Sequence, residues 1–208
     1  MRIDFECRES TWLYSEPFVL SRGVITECEA LDLRLVDELG YEGRSESYGV
    51  PYDGETPASM RAQIEAVGEA LRAGVTRRQL LDLLPPGGAR CAVDTALWDL
   101  EAKQGVGDPF RVLGLRADPV VTACTIGLRT TLQFERTAAA LRDCPWIKVK
   151  VDAEQPLAQI EAVHRGAPEA ALIVDPNQAW RVPQLRELAP RLIALGVALL
   201  EQPTPSGT

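Results

Sequence analysis

Histidine is almost missing from this chain: His164 is the only one in 208 residues. A catalytic thiol wants an imidazole partner, so thiol-based nucleophilic catalysis has at most one candidate base. His164 falls in a helical stretch and reads as a surface residue. The five cysteines (Cys7, Cys28, Cys91, Cys124, Cys144) are odd in number and lack CxxC spacing. They read as reduced, packed thiols. No apolar run approaches the roughly 20 residues of a membrane-spanning helix. The opening Met1-Arg2-Ile3-Asp4 alternates charged and apolar residues and has no signal-peptide core. Both absences point to the cytoplasm. Positive charge is also short, with 22 Lys+Arg against 30 Asp+Glu and a net charge of -8. Such a surface repels phosphate backbones and speaks against a nucleic-acid partner. No GxGxxG or P-loop follows any apolar run, and there is no low-complexity segment.

What is present is an ordinary globular composition, 46% hydrophobic and 25% charged. Residues 1 to about 50 suit half-buried strands, at Phe18 to Leu20, Glu29 to Val36 and Arg44 to Val50. Thr56-Pro57 then starts a helix, with Met60, Ile64, Val67, Leu71 and Val75 on one face. Pro85-Pro86-Gly87-Gly88 breaks the chain before a second helix from Ala89 to Gln104. Strands followed by helices describe a small α+β domain.

Near residue 118 the rhythm changes. Short apolar runs at Val120–Thr125, Ile147–Val151, Ala171–Val174 and Val197–Leu200 alternate with helical stretches at Thr131–Arg142, Pro156–Arg165 and Val182–Leu195. Pro190 is expected to bend the last of these. This alternation describes βα units on a parallel sheet. It does not by itself separate a barrel from an open doubly wound sheet. Polar residues gather where the runs end: Lys148 and Lys150, Asp175 and Asn177, Glu201. Lys148 and Lys150 are two apart on one strand and share a face. In a parallel barrel the C-terminal strand ends form the active-site face.

Trp146-Ile147-Lys148-Val149-Lys150 resembles the Lys-x-Lys motif on the second barrel strand of the muconate lactonizing enzyme branch of the enolase superfamily. Ile173 to Trp180 resembles that branch's third-strand motif, with Pro176 where alanine is more usual. Leu200-Glu201-Gln202-Pro203 resembles the fourth-strand motif, and the helix from Ala89 to Lys103 resembles the linker helix. Within the branch, Thr125-Ile126-Gly127-Leu128 is similar to dipeptide epimerases, although Arg129-Thr130 departs from the Asp-Thr expected there.

The resemblance implies an α+β capping domain at 1–117, followed at 118–208 by the first half of a (β/α) TIM-type barrel of about four βα units. It implies an isomerase that removes the proton α to a carboxylate, with Mg²⁺ as cofactor and a small dipeptide as substrate. Asp175 and Glu201 would bind the metal, and Asn177 would support them. Lys150 would be the base, with its pKa lowered by burial, by Lys148 and by the metal. Lys148 would face the substrate carboxylate, and Thr125 and Arg22 would touch the substrate. The family's third metal carboxylate, second lysine base and dipeptide-binding Asp-x-Asp belong to the fifth, sixth and eighth strands.

A complete barrel takes about 250 residues, so the 208-residue chain by itself is expected not to epimerise. Other readings stay open. The reaction could be that of a muconate cycloisomerase or an o-succinylbenzoate synthase. The chain could instead be a catalytically dead fragment that binds a partner or forms a homo-oligomer. Asp175 before Pro176 could simply cap a helix. The paired lysines could line a solvated edge. Arg22 could be a surface charge and Thr125 could be strand-end packing. Trp98, Trp146 and Trp180 read as core or loop packing.

Overall fold

The computed structural model describes residues 2–21 and 23–207. They form two compact units: residues up to Leu13 with Glu27–Asp118, and Tyr14–Thr26 with Pro119 onward.

The first unit is built on a sheet ordered β1 (Ile3–Leu20), β2 (Gly23–Asp37), β3 (Glu42–Tyr48). Strands β2 and β3 are antiparallel, with Leu33 opposite Ser45 and Leu35 opposite Gly43. Leu31, Leu33 and Leu35 are buried, as the period of two requires. They pack in one cluster with Ile3 and the apolar stripes of helices α1 (Pro57–Ala66) and α4 (Gly88–Lys103). A Cβ at Gly43 would lie 2.1 Å from the Ala96 carbonyl oxygen, so glycine is what lets β3 lie directly on α4. Glu55 caps α4 from a distance: its carboxylate accepts from Gly88 N at 2.7 Å and from Val50 N at 2.9 Å. These backbone donors hold the Glu55 carboxyl below its usual pKa.

Two expectations change here. The run from Met60 to Val75 is not one helix but α1 followed by α2 (Gly68–Arg72), parted at Val67, whose ψ of 14° leaves the regular helix. Helix α3 (Arg77–Leu83) follows. Strand β1 runs for 18 residues, far beyond Phe18 to Leu20. Most of its side chains are exposed or half-exposed, and only Ile3, Phe5 and Cys7 at its start alternate with polar residues. A short helix α5 (Pro109–Val112) precedes the second unit's sheet.

The second unit carries four parallel strands in the order β4 (Ala123–Ile126), β5 (Trp146–Lys150), β6 (Ala171–Asp175), β7 (Val197–Leu200). Helices α6 (Thr131–Ala140), α7 (Pro156–Gly166) and α8 (Val182–Ala194) connect them in turn, and α8 runs on through Pro190. Every strand neighbours its successor. An open doubly wound sheet reverses its strand order, whereas a barrel does not. This is the partial (β/α) barrel expected. Ile147, Val149, Leu172 and Val174 bury one sheet face against Phe134, Ile160, Val163 and Leu188 of the helices. Helices α6 and α7 touch closely, since a Cβ on Gly166 would sit 2.4 Å from the Glu135 carbonyl oxygen. Among the described residues no helix is long and apolar enough to cross a membrane.

Candidate active site

Strand β5 sends Ile147 and Val149 into the helix-side core, which turns Lys148 and Lys150 to the opposite face. Strand β6 is in register with it, so Asp175 lies directly opposite Lys150. Lys150 Nζ donates to Asp175 Oδ2 at 2.5 Å, and Lys148 Nζ reaches the same oxygen at 3.1 Å. Lys148 Nζ also meets Glu201 Oε2 at 2.6 Å. Glu201 directly follows β7 and is held by its own N–H on Val174 O at 2.9 Å. Four side chains from three strand ends therefore share one connected ion-pair network.

Asp175 is 1% exposed and Lys150 8%. A buried carboxylate between two ammonium groups is paired rather than stranded, which is the condition for charges to remain in an interior. Burial alone would raise the Asp175 pKa. Its hydrogen bonds with Lys150, the Asn177 N–H and Lys148 outweigh that and hold it below the usual aspartate value. For Lys148, burial would lower the pKa, but the bonds to Glu201 and Asp175 win and raise it.

The loop after β6 is tied to the loop after β7. Gln178 N donates to Gln202 O at 2.7 Å and Trp180 N to Pro203 O at 3.0 Å. Asn177, Gln178 and Gln202 all have left-handed backbones, with φ of 50°, 68° and 42°. Non-glycine residues rarely hold that conformation, and it collects where function demands a fixed shape. Gln178 and Gln202 lie within the third- and fourth-strand motifs but were assigned no role there, because what they contribute to this rim is backbone geometry. Asn177 N caps Asp175 Oδ1 at 2.9 Å, so Asp175 is capped by its own loop as well as ion-paired. Trp180 is fully buried and donates its indole N–H to Asp152 O at 2.9 Å.

Thr125 is exposed on β4 with its Cα in register with Lys148. Arg22 lies outside the described residues. Ser21, which follows β1, donates its hydroxyl to Pro176 O in the loop after β6 at 3.0 Å. The end of β1 is fixed to the loop after β4 by Leu128 N on Val19 O at 2.8 Å. Arg129 anchors itself on Thr137 Oγ1 at 2.9 Å and reaches Glu16 at 3.3 Å.

Asp175 and Glu201 offer hard oxygen donors of the kind that suit Mg²⁺. Both already converge on one cationic nitrogen, Lys148 Nζ, so their spacing fits a shared positive charge. No group of three or more His, Cys, Asp or Glu that could hold a metal occurs among the described residues.

Residues 133–208 match the family described as Enolase C-terminal domain-like. The chain is 37% identical over 201 residues to the L-Ala-D/L-Glu epimerase of Escherichia coli (strain K12), covering 95% of this chain and 62% of that protein. It superposes with a TM-score of 0.93 and 33% identity on an enolase family member from Agrobacterium tumefaciens with homology to dipeptide epimerases, solved with bound sodium and L-Ala-L-Glu. That match covers 99% of this chain and 63% of the other. A dipeptide epimerase from Methylococcus capsulatus, complexed with Mg and L-Arg-D-Lys, superposes with a TM-score of 0.87 at 28% identity, covering 100% of this chain and 63% of that one. The chain thus spans about three fifths of the length of these relatives.

Proposed function

We propose, on the premise that this chain is an enolase-superfamily sequence matching the N-terminal portion of the superfamily's dipeptide epimerases, that its β5–β6–β7 rim is part of a site that inverts an α-carbon next to a carboxylate in a small dipeptide. The observation that carries this reading is the convergence of Lys148, Lys150, Asp175 and Glu201 at one end of parallel strands.

Each residue has a role its position suits. Asp175 and Glu201 would hold Mg²⁺, with Asn177 behind them. When bound, the ion supplies positive charge against the negative charge that develops on the substrate carboxylate. Lys150 takes the α-proton on its Nζ, and the low exposure of its side chain keeps competing water away. Asp175 now serves both ammonium groups; engaged on a cation, it would free Lys150 Nζ toward the substrate. Lys148 turns its charge to the substrate carboxylate, and Thr125, exposed on the neighbouring strand, contacts the dipeptide. Arg22 would add a further substrate contact. The domain division that goes with this reading is a capping domain at 1–117 and a barrel portion at 118–208.

Charge favours an anionic dipeptide. With Lys150 neutral as the base, Lys148 and the two carboxylates leave one negative charge, so a divalent cation gives the rim a positive surplus. A substrate such as L-Ala-D/L-Glu, with two carboxylates of its own, answers it. Inverting a carbon requires a base on each face, and Lys150 supplies one face. The 208-residue chain alone is therefore expected to form no epimer.

Calorimetric titration of the chain with Mg²⁺ tests the site. Binding should be weak, on the order of millimolar for so few ligands, and should vanish in both Asp175→Asn and Glu201→Gln. Undiminished binding in both variants would remove the metal assignment. Conversion of L-Ala-L-Glu to L-Ala-D-Glu by the chain alone would overturn the need for a second base.

A further inference from the structure

The proposed function uses none of the five cysteines, yet two of them meet. Cys124 lies in β4, in register with Ile147 of β5. Cys144 sits in the turn leading into β5, with its N–H on Leu141 O at 2.8 Å. They are 20 residues apart in sequence, yet their Sγ atoms are 2.6 Å apart, both thiols are free, and both side chains are half-buried. Cys144 packs against the core between sheet and helices. Side chains alternate along a strand, so Cys124 faces away from the side that carries Thr125 and Lys148. The pair is therefore outside the rim. Parallel pairing of β4 with β5 places the thiols together, which no CxxC spacing could announce.

We propose that Cys124 and Cys144 are a dithiol pair that a small-molecule disulfide such as oxidised glutathione converts to an intramolecular disulfide, stapling β4 to the start of β5 on the helix side of the sheet. The thiolate of one cysteine attacks a sulfur of oxidised glutathione and expels one glutathione thiolate. The second cysteine then attacks the protein sulfur of that mixed disulfide and expels the other. Two protein thiols give up two protons and two electrons, and the oxidant's disulfide is reduced to two thiols. The hydrogen bond to Cys124, then burial, raise the Cys144 pKa. Oxidation is therefore slow at neutral pH and accelerates as the solution becomes alkaline. Cys91, which is exposed, has no such partner thiol among the described residues and stops at a mixed disulfide.

The test incubates the whole 208-residue chain with oxidised glutathione, then alkylates and maps peptides by mass spectrometry. After a mild reductant pulse that clears mixed disulfides, alkylatable thiols should fall from five to three, with a Cys124–Cys144 linked peptide. The melting temperature should rise by roughly 5–10 °C, as expected for closing a loop of this length in a domain of this size. Mapped without the reductant pulse, Cys124→Ser and Cys144→Ser should instead hold glutathione on the remaining partner, for want of a thiol to resolve it. A dominant crosslink between any other cysteines, or five thiols still alkylated after oxidation, would overturn the proposal. The map of the unsubstituted chain decides this even where a serine variant fails to fold.

Discussion

Lys148 shows most directly how a single side chain couples stability to pH. Its ammonium binds two carboxylates at once, and its folded pKa is raised as a result. A raised basic group stabilises fully below its ordinary pKa, and the contribution is lost as pH climbs through the higher folded value. Asp175 has the opposite sign. Its depressed pKa gives stability that is complete above the ordinary aspartate value and lost as pH falls through the folded one. The melting temperature of the chain should thus hold from neutral pH up to the ordinary lysine value of about 10.4 and decline only above it. Lys148→Met should flatten the alkaline limb while leaving the acid limb in place, because Lys150 still pairs with Asp175. An unchanged alkaline limb in a thermal-melt series would show that Lys148 does not carry the effect. At this scale the Lys-x-Lys spacing and the two acidic strand ends could be read directly. The bridge from Lys148 to both carboxylates could not, because it depends on diagonal contacts that only strand register sets.

Elements were legible where their apolar pattern was strong. The strands Trp146–Lys150, Ala171–Asp175 and Val197–Leu200, and helices α6 to α8, lie within a few residues of their expected bounds. Strand β1 was mostly hidden because, past the short alternation of Ile3, Phe5 and Cys7 with polar residues, its exposed side chains carry no period. The break between α1 and α2 was hidden because the apolar stripe continues across it. Gly68, which opens the second helix, lies against the Phe5 ring, 3.1 Å from where its Cβ would sit. Close approach also governs β3 on α4. Gly43→Ala should destabilise the chain by about 1–3 kcal/mol in urea unfolding, since the added methyl must displace the Ala96 carbonyl or the Leu100 side chain. A loss within a few tenths of a kcal/mol would mean that strand and helix part more easily than their packing implies.

For the whole molecule, the division at residue 118 read from the rhythm of the sequence leaves out one segment. Tyr14–Thr26 groups with the parallel-sheet unit, although it holds the end of β1 and the start of β2, whose other portions lie in the first unit. There Val19 O accepts from Leu128 N, and Phe18 packs 3.3 Å from where a Gly127 Cβ would sit. A fragment cut at residue 118 should therefore exchange its Leu128 amide roughly tenfold or more faster than the whole chain does, as a lost local hydrogen bond would produce. Hydrogen-exchange mass spectrometry of both forms checks this. Equal rates would show that residues 14–26 add nothing to the parallel-sheet unit.

By itself the sequence determined what depends on local order along the chain. The alternation of apolar runs and helical stretches follows from strand and helix periods, and the residue types at strand ends follow from reading along it. Neighbourhood across the chain was decided only by the tertiary structure. The unreversed strand order, the sharing of Asp175 by two lysines, the meeting of Cys124 with Cys144 and the attachment of residues 14–26 all come from pairing between distant segments. A period fixes which face a side chain takes, but register and packing choose its partner.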